Sequence, residues 1–580
     1  MNSSTKELKQ IIFQASTIQV KIPKYQRAYS WGTQQVEEFW DDIIQENPTF
    51  FIGPIIINIE HQNENDGFVE VVDGQQRLIT STILAAVLRD TYNEYGENDK
   101  AKNIQSHFIA YVDLDNVDKG YRLTPGLSTS TFFKEHIQSG NSEITNSNPT
   151  EKEHKRIKDN YQTFKQSLDL YLSPETTNEE KIKKIGKVRD RLNMLKVIVI
   201  EIENDREAYE IFERVNNYGI DLSLSDLLKN QILKNHSNPD SAHLVWYEIE
   251  KNIRSSDEEM KKFIRYHWLS KYGFKTEKRI YDSIKDEVTD YNQFLNELHE
   301  SSELFNKILK GGRNDFIGLK INGKDISSKI YKIISASRDM AISQDNVFYM
   351  SLIRNIEKDK LNVNPSKLLI ILENFLFKYF AISKLPANKV ERMFSKYSVE
   401  IQNLCNSSLL EDGNKKIELT RLYDLFKNEL IDLIPPKDFF IERFSQVKYS
   451  TAEKSRKLIR YVLKTTEYHF SENNETVIDF EQVNIEHFLP QKPISWNLST
   501  ADIKEYVNNI GNLTLIDKRI NSQMGNLSLE EKIPKFLNSG FQLNTKLMDQ
   551  VLAADNKWDK EQIEIRNHTL AVLAYDHIWK

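Results

Sequence analysis

The spacing of apolar residues divides the chain into mixed and helical stretches. Within the first 90 residues, strand-like runs alternate with helical spacing, and the polar turn between the last two strand-like runs predicts a β-hairpin. The strand-like runs lie at 18–22, 50–59 and 68–72, and the helical spacing lies at 33–46 and 75–89. Residues 97–190 and 240–450 have helical spacing almost throughout.

Further strands are predicted where the helical spacing stops. Residues 195–202 are apolar on both faces, which predicts a fully buried strand. The pair Pro435–Pro436 ends a helix and predicts a domain boundary. Beyond this pair, a helix is predicted at 451–466, and extended segments are predicted at 479–485 and 511–516. The predicted fold class is α+β, multidomain and mostly helical, with domains at 1–235, 236–436 and 437–580.

Composition and charge narrow the classes of protein that fit. The 580 residues are 39% hydrophobic and carry a net charge of −7, which argues against a basic coat protein for nucleic acid. Cys405 is the single cysteine, so a disulfide within the chain is impossible and a reducing, cytoplasmic location is expected. The longest apolar runs are too short to cross a bilayer, so no membrane partner is expected.

One local charge cluster departs from the overall balance. Residues 307–332 contain seven Lys or Arg and two Asp or Glu. A segment with this excess of positive charge is suited to following a phosphate backbone. A solvated loop on a surface of mixed charge explains the same composition equally well.

The strongest chemical pattern lies near the C-terminus. Glu486 and His487 stand together at a predicted strand end, and Asn512 and Asn521 follow in and after the next strand. A neutral imidazole takes a proton from water near neutral pH, so His487 is a candidate general base. Glu486 and Asn521 offer the oxygen ligands that Mg²⁺ or Mn²⁺ prefers. The alternative is a strand-end histidine without a chemical role.

The neighbours of this pattern extend it. Asn512 is predicted to fix the ring of His487 or to hold the loop between the two strands, and Lys532 and Lys535 are candidates for phosphate contact. The Glu-His-x-x-Pro strand, the Gly-Asn-Leu strand and the later Asn resemble the HNH-like domain of a known nuclease family, as do the trailing Trp558, Arg566 and Trp579. This resemblance implies a ββα-metal fold in which His487 and Asn512 are catalytic and Glu486 and Asn521 bind a metal ion.

A second candidate site lies where the strand at 68–72 meets the helix at 75–89. The chain turns there at Asp73, Gly74, Gln75, Gln76 and Arg77. Such a turn directs backbone N–H groups and the positive helix end toward an anion. Arg77 adds a guanidinium for phosphate, and Asp73 adds a group for a metal ion or a water. The alternative is a plain turn between a strand and a helix.

Two further motifs accompany this turn. Residues 22–31 include Tyr25, Gln26, Arg27 and Trp31, which suit either a stacking and hydrogen-bonding pocket for DNA or a loop that packs on the core. Residues 207–229 combine an amphipathic helix with a turn at Gly219, which needs no function to explain it.

Together the three N-terminal motifs closely resemble the N-terminal domain of GmrSD-type, modification-dependent restriction systems over residues 1–235. Tyr218 departs from the usual motif, which has Arg at this place. The resemblance implies a ParB/sulfiredoxin-like α/β domain in which residues 73–77 bind GTP or another NTP. It also implies that Tyr25, Gln26, Arg27 and Trp31 sense DNA or its modification.

The two resemblances predict a nucleotide-regulated, metal-dependent DNA endonuclease of antiphage defence. It would need Mg²⁺ or Mn²⁺ together with GTP or another NTP, act on modified, double-stranded phage DNA, and form a homodimer if it cuts both strands at once. Two alternatives stay open. One is a DNA-binding regulator with a degenerate nuclease site, and the other is an NTPase switch that recruits a separate effector.

Overall fold

The chain folds into two compact units. The computed structural model describes residues 2–12, 19–23, 26, 28–44, 51–62, 67–112, 118–140, 144–203, 224–253, 257–471, 483–521, 524 and 527–580. The first unit comprises Met1–Lys251, Ser256–Lys261 and Tyr281–Glu297, and the second comprises Asn252–Ser255, Lys262–Ile280 and Leu298–Lys580. The predicted α+β, mostly helical class is confirmed, and the predicted division into three domains stays a prediction.

The first unit mixes strands and helices. Its strands are β1 (Asn2–Glu7), β2 (Gln19–Lys21), β3 (Phe51–Asn58), β4 (Phe68–Asp73), β5 (Ala110–Val112), β6 (Asp118–Tyr121), β7 (Leu123–Thr124) and β8 (Lys196–Ile202). Its helices include α1 (Thr33–Ile44), α2 (Gln75–Glu94), α3 (Asn98–Ile104), α4 (Leu127–Phe133), α5 (Lys152–Leu172), α6 (Asn178–Met194) and α7 (Leu224–Asn235). The chain continues through α8 (Pro239–Ile253), α9 (Asp257–Lys271), α10 (Ile280–Glu287) and α11 (Tyr291–Lys310).

A mixed six-stranded sheet in the order β1-β8-β3-β4-β2-β7 organises the first unit. Strands β3 and β4 pair antiparallel, which confirms the predicted hairpin, whereas β2 pairs parallel to both β4 and β7. Helix α2 follows β4 and is buried along most of its length, since apolar and small residues occupy all of its faces. The sheet and α2 therefore fix the position of the turn between β4 and α2.

Two details of the sheet differ from the prediction. Strand β8 buries Val197 and Val199 but leaves Ile198 38% exposed, so the prediction of a strand buried on both faces is wrong. Strand β8 lies between β1 and β3 in the sheet. Val197 and Val199 pack into the main core, which also contains α2, whereas Ile198 lies on the other face of the strand. The region 97–190, predicted as helical, also contains the short strands β5, β6 and β7, which are too short to produce a recognisable alternation.

The second unit is built mainly from helices. After α11 the chain forms β9 (Lys320–Ile321), β10 (Lys324–Asp325), α12 (Ser327–Asp339), α13 (Asn346–Glu357), α14 (Ser366–Leu376), α15 (Asn388–Asn406), α16 (Asp412–Asp432) and α17 (Lys437–Ser445). It continues with α18 (Glu453–Phe470), β11 (Val483–His487), α19 (Thr500–Ile503), β12 (Leu513–Asp517), α20 (Lys518–Asn521), α21 (Leu529–Leu537), α22 (Gln542–Ala553) and α23 (Lys560–Leu573). Among the described residues, no helix is both long and apolar enough to span a membrane.

Local sequence explains where several of these helices begin and end. Ser528 and Glu531 form a reciprocal capping box at the start of α21. Helix α16 ends at Asp432 and α17 begins at Lys437, so Pro435–Pro436 breaks the helix as predicted. The chain on both sides of that pair lies in the second unit.

The last turn of the chain packs into the helical part of the second unit. The ring of Trp579 stacks on Phe377 with centroids 3.7 Å apart, and its indole N–H donates to the hydroxyl of Tyr461 at 3.0 Å. The hydroxyl of Tyr461 in turn donates to Glu373 Oε1 at 2.8 Å. These contacts join helices α14 and α18 to the segment that carries the C-terminal motifs.

Candidate functional site

An antiparallel ribbon of β11 and β12 positions the C-terminal motif. His487 is the last residue of β11 and pairs with Leu513, while Glu486 pairs with Thr514. The short helix α20, which ends at Asn521, packs against both strands. The chain thus runs strand, strand, helix, in the order in which the motif residues occur.

The imidazole of His487 is partly buried between a loop and an aromatic ring. Its Nε2 lies 2.9 Å from Asn508 Oδ1, which also accepts from the amide of Gln491 at 3.0 Å. The ring of Tyr449 meets the imidazole edge-on, with centroids 5.0 Å apart. Burial lowers the pKa of His487 to about 4, although the hydrogen bond to Asn508 opposes the shift. The ring is therefore neutral at physiological pH.

The contact with Asn508 also selects the tautomer of His487. The backbone carbonyl of Asn508 accepts from the N–H of Tyr449 at 2.8 Å, which holds the loop in place. Because an amide oxygen only accepts, this contact favours the tautomer with the proton on Nε2 and the lone pair on Nδ1, over the longer contact of 3.3 Å between Nε2 and the amide nitrogen of Gln491. In that tautomer Nδ1 is the atom that can take a proton.

Asn512 holds the loop after β11 rather than the ring of His487. Its Oδ1 accepts from the N–H of Leu489 and from the indole of Trp558, and its Nδ2 donates to the carbonyls of Leu489 and Val507. The side chain is buried and all of its hydrogen-bonding groups are used within the protein. Of the two predicted roles for Asn512, the geometry supports the second, so Asn512 is a positioning residue and not a catalytic one.

The side chain of Lys532 points into the interior of the second unit. Its ammonium donates to Glu486 Oε1 at 2.9 Å and to the carbonyls of His487 and Phe488 at 3.0 Å each. Its side chain is fully buried, and burial lowers its pKa while Glu486 opposes that shift. Three acceptors satisfy the three N–H groups, so the structure contradicts the predicted phosphate contact by Lys532. Lys532 instead fixes the end of β11.

The remaining predicted residues of this site lie at its edge. Asn521 ends α20 and is partly exposed, and its backbone carbonyl accepts from the N–H of Met524. Lys535 lies one turn after Lys532 on α21 and is also partly exposed. Neighbouring side chains of a strand point to opposite faces, so Glu486 turns toward α21 while His487 turns toward Asn508.

A close approach between β12 and α23 supports this ribbon from behind. A guanidinium N–H of Arg566 donates to the carbonyls of Gly511 and Leu513, at 2.7 and 2.9 Å. Burial lowers the pKa of Arg566 to about 9. A Cβ on Gly511 would lie 2.1 Å from the carbonyl oxygen of Ile563, so glycine is required for this contact.

The N-terminal turn is built tightly between β4 and α2. Gly74 has φ +97° and a Cβ there would lie 2.9 Å from Ile55 Cγ1, so glycine is required on two grounds. Asp73 ends β4 and is partly exposed, and Gln75 begins α2 and is buried. The first-turn N–H groups of α2 have no partner inside the helix itself, which gives this end a partial positive charge.

Two glutamines join this turn to the second N-terminal motif. Gln76 Oε1 accepts from the N–H groups of Ser30 and Trp31, and its Nε2 donates to the carbonyl of Ala28. Gln26 is also buried and donates to the carbonyl of Val72 at 2.6 Å. Gln76 and Gln26 therefore hold Gln26 and residues 28–31 beside the turn, and their side-chain amides act in positioning.

Arg77 and Trp31 complete the described part of the N-terminal site. Arg77 donates to the carbonyl of Pro54 at 2.7 Å, and its guanidinium lies against Gly53. Trp31 packs edge-on against Phe39, with ring centroids 6.2 Å apart. The predicted sensing residues Tyr25 and Arg27, and residues 207–223 of the third motif, lie outside the described residues.

Two sequence profiles of one family match the chain over ranges that contain these sites. The profile for the N-terminal domain of the GmrSD restriction endonuclease matches residues 8–233, and the profile for the C-terminal domain of GmrSD restriction endonucleases matches residues 434–573. The chain belongs to the GmrSD restriction endonuclease family. Among curated proteins, none matches the sequence significantly.

Membership in the GmrSD family gives the activity class, a DNA endonuclease, and makes DNA its substrate. The turn at 73–77 lies inside the N-terminal match, and the residues around His487 lie inside the C-terminal match. The segment 234–433 between the two matches supplies helices α12 to α16 of the second unit.

Three side chains around His487 were not predicted from the sequence. Gln491, Asn508 and Tyr449 surround the ring, yet they lie up to 38 residues away along the chain. Gln491 directly follows the proline of the motif, and Asn508 precedes Asn512 by one helical turn, so both were adjacent to residues already singled out. No periodic pattern marks Tyr449.

Proposed function

We propose that this chain is a divalent-metal-dependent DNA endonuclease of antiphage defence that cuts at an HNH-type site around His487. The observation that carries the proposal is the neutral imidazole at the end of β11, with Nε2 bound to Asn508 and Nδ1 left with its lone pair. A general base with this arrangement is what hydrolysis of a phosphodiester requires.

In the proposed reaction, Nδ1 of His487 accepts a proton from a water molecule. The water oxygen forms a bond to phosphorus, the bond to the leaving oxygen breaks, and that oxygen gains a proton from solvent. Asn508 holds the proton on Nε2 throughout, while Asn512 and Lys532 keep the end of β11 fixed. Lys535 of α21 is partly exposed, unlike Lys532, and is the lysine proposed to contact a phosphate.

The carboxylate of Glu486 and the amide oxygen of Asn521 are the types of oxygen donor that Mg²⁺ or Mn²⁺ prefers. Among the described residues, no group of three or more His, Cys, Asp or Glu is placed to hold a metal, so a site for zinc is not supported. Glu486 and Asn521 would hold the ion, and part of the charge of Glu486 is already balanced by Lys532. A bound ion would supply positive charge to the oxygens of the phosphodiester.

The proposed regulator is an NTP, with GTP preferred by resemblance, bound at the start of α2. The first-turn N–H groups of α2 would bind phosphate, Asp73 would hold a water or metal ion, and Arg77 would add positive charge beside them. Because Gln76 and Gln26 attach Gln26 and residues 28–31 to this turn, a nucleotide there would act on side chains proposed to sense modified DNA.

The test is cleavage of plain and modified duplex DNA by the full chain with Mg²⁺ or Mn²⁺, with and without GTP. We expect strand cleavage that requires the divalent ion and stops with EDTA, and we expect Arg77→Ala to remove any effect of GTP. Cleavage that continues unchanged in EDTA would contradict the proposed metal requirement. The absence of cleavage on every substrate would contradict the proposed nuclease.

One observation favours a second candidate function, an NTPase switch with a degenerate nuclease site. The ammonium of Lys532 already occupies one oxygen of Glu486, which leaves fewer ligands for a metal ion. In that case Arg77→Ala would abolish the biological response to phage, whereas His487→Ala would leave it unchanged. A plaque assay with both variants separates the two candidates.

The hydrogen bond between Asn508 and His487 leads to a prediction for catalysis. Asn508→Leu removes the acceptor for Nε2–H, so the ring loses its fixed tautomer, and we expect kcat to fall about tenfold to a hundredfold with little change in KM. Asn508→Asp keeps an acceptor and adds a negative charge, which raises the pKa of His487 and moves the acidic limb of the pH profile to higher pH. Full kcat in Asn508→Leu would contradict the assigned role of Asn508.

A further inference from the structure

A basic surface lies on the second unit and contains none of the residues of the two candidate sites. It consists of the end of α11, the 3₁₀ turn Arg313–Phe316, the hairpin β9–β10, helix α12 and residues 453–464 of α18. The exposed cations before and on α12 are Lys310, Arg313, Lys320, Lys324, Lys329 and Lys332. The cations of α18 in this range are Lys454, Arg456, Lys457, Arg460 and Lys464.

The parts of the basic surface pack against one another. Phe316 of the 3₁₀ turn contacts Tyr331 of α12, with ring centroids 5.8 Å apart. At the other end of α12, burial raises the pKa of Asp339. The positive charges of Lys457, Arg460 and Lys464 of α18 lie near enough to oppose this upward shift. Helices α12 and α18 therefore lie side by side and present their cations on neighbouring faces.

Glu373 ties the middle of the two helices together. It lies 4.0 Å from Lys332 Nζ on α12 and accepts from the hydroxyl of Tyr461 on α18 at 2.8 Å. Lys332 remains 76% exposed despite this contact. The ammonium of Lys332 is thus available to a ligand from solvent.

The acidic residues of this region leave a positive excess. Asp315 accepts from the N–H of Gly312 and Asp325 accepts from the N–H of Ser327, so both serve as local caps. Glu453 pairs with Lys457 at 2.6 Å. Together with Asp339 and Glu373 they make five acidic residues against the eleven cations named above. Like charges held this closely repel one another, and an anionic partner would relieve that repulsion.

We infer that the basic surface binds the phosphate backbone of the DNA duplex that the nuclease site cuts, independently of base sequence or modification; this inference rests on the proposed function. Residues 454–464 of α18, which carry five cations, rise about 15 Å, which corresponds to roughly four phosphates along one strand at 3.4 Å each. Lysine and arginine side chains spread over that distance suit a backbone rather than a single phosphate group.

Helix α18 links the basic surface to the candidate nuclease site. Its buried Glu467 accepts from the N–H groups of Gln542 and Leu543, which caps α22. Asn544 of α22 donates to the carbonyl of Leu515 on β12, the strand that pairs with β11. DNA held along α12 and α18 would therefore be held by elements that connect through direct contacts to the strand pair that carries His487.

The test compares two variants of the full chain with equal loss of charge. The first is Lys329→Gln/Lys332→Gln/Lys454→Gln/Arg456→Gln, on the basic surface. The matched control is Lys389→Gln/Lys396→Gln/Lys416→Gln/Arg421→Gln, on exposed positions of α15 and α16. Binding of a labelled 30-bp duplex is measured in EDTA by fluorescence anisotropy over a range of salt concentrations.

We expect the first variant to bind about tenfold or more weakly, with the slope of log K against log salt reduced by about 3–4. The control should keep the slope and affinity of the wild type. The inference is overturned if the first variant binds like the wild type, if both variants lose affinity equally, or if the wild type does not bind duplex at low salt.

Cleavage by the same proteins keeps this inference separate from the proposed function. A wild type that binds through the basic surface but never cleaves in Mg²⁺ or Mn²⁺ would contradict the proposed nuclease and support the binding surface. A wild type that cleaves, beside a first variant with unchanged binding and cleavage, would support the nuclease and overturn the binding surface.

Discussion

Replacing His487 with alanine is expected to lower the rate of DNA cleavage by about a hundredfold to ten-thousandfold, the usual contribution of a general base. The imidazole is held at the end of β11 by Asn508 and is neutral because burial lowers its pKa to about 4. Alanine removes the proton acceptor without changing the residues that hold the strand. The measurement is single-turnover cleavage of a duplex that the wild type cuts.

The matched control for this prediction is His568→Ala. His568 is exposed on α23, so its loss should leave both cleavage and stability unchanged. Because His487 is partly buried, the melting temperature of each variant must be recorded, and His487→Gln offers a second replacement that fills more of the space. A folded His487→Ala protein that cleaves at the rate of the wild type would show that His487 is not the base.

Much of the first unit follows from pattern because its strands and helices are long or strongly apolar. The hairpin β3–β4 and the helix α2 begin within one or two residues of the predicted positions. The position of strand β8 was predicted correctly, but the prediction that both of its faces are buried was wrong. A run of Val and Ile looks the same whether one face of a strand or both faces are covered, and the neighbours that decide this lie far away in sequence.

The candidate nuclease site could be located from sequence, whereas the roles of its members could not. Lys532 is the clearest case, because Leu529, Ile533 and Phe536 place it on the apolar face of α21. That spacing indicates an inward-pointing side chain, yet a lysine beside a nuclease motif was interpreted by its charge. The acceptors that bury it are the backbone carbonyls of residues 487 and 488.

Asn512 shows a related limit of sequence patterns. The sequence pattern predicted that Asn512 lies opposite His487. Two roles were compatible with that position, a hydrogen bond to the ring of His487 and hydrogen bonds that hold the loop between the strands. Its four partners come from Leu489, Val507 and Trp558, and only the folded chain brings these together. The ring is held instead by Asn508, whose loop carries no periodicity that would reveal the contact.

Gly511→Ala is expected to destabilise the second unit by about 3 kcal/mol or more, which is large for a single methyl group. A Cβ at this position would lie 2.1 Å from the carbonyl oxygen of Ile563 and 2.9 Å from the N–H nitrogen of Asn567. Both contacts are backbone atoms of α23, so no side-chain rotation relieves them. The helix must move, which breaks the bonds from Arg566 to the carbonyls of Gly511 and Leu513.

The expected fall in melting temperature of the Gly511→Ala protein is about 6–12 °C, followed by the fluorescence of the tryptophans in the second unit. The control is Gly413→Ala, because a Cβ at Gly413 in α16 meets no atom within 4 Å and alanine favours a helix. Unchanged stability in Gly511→Ala would mean that α23 does not approach β12 as closely as described. Since β12 pairs with β11, Gly511→Ala should lose cleavage together with stability, whereas His487→Ala should lose cleavage alone.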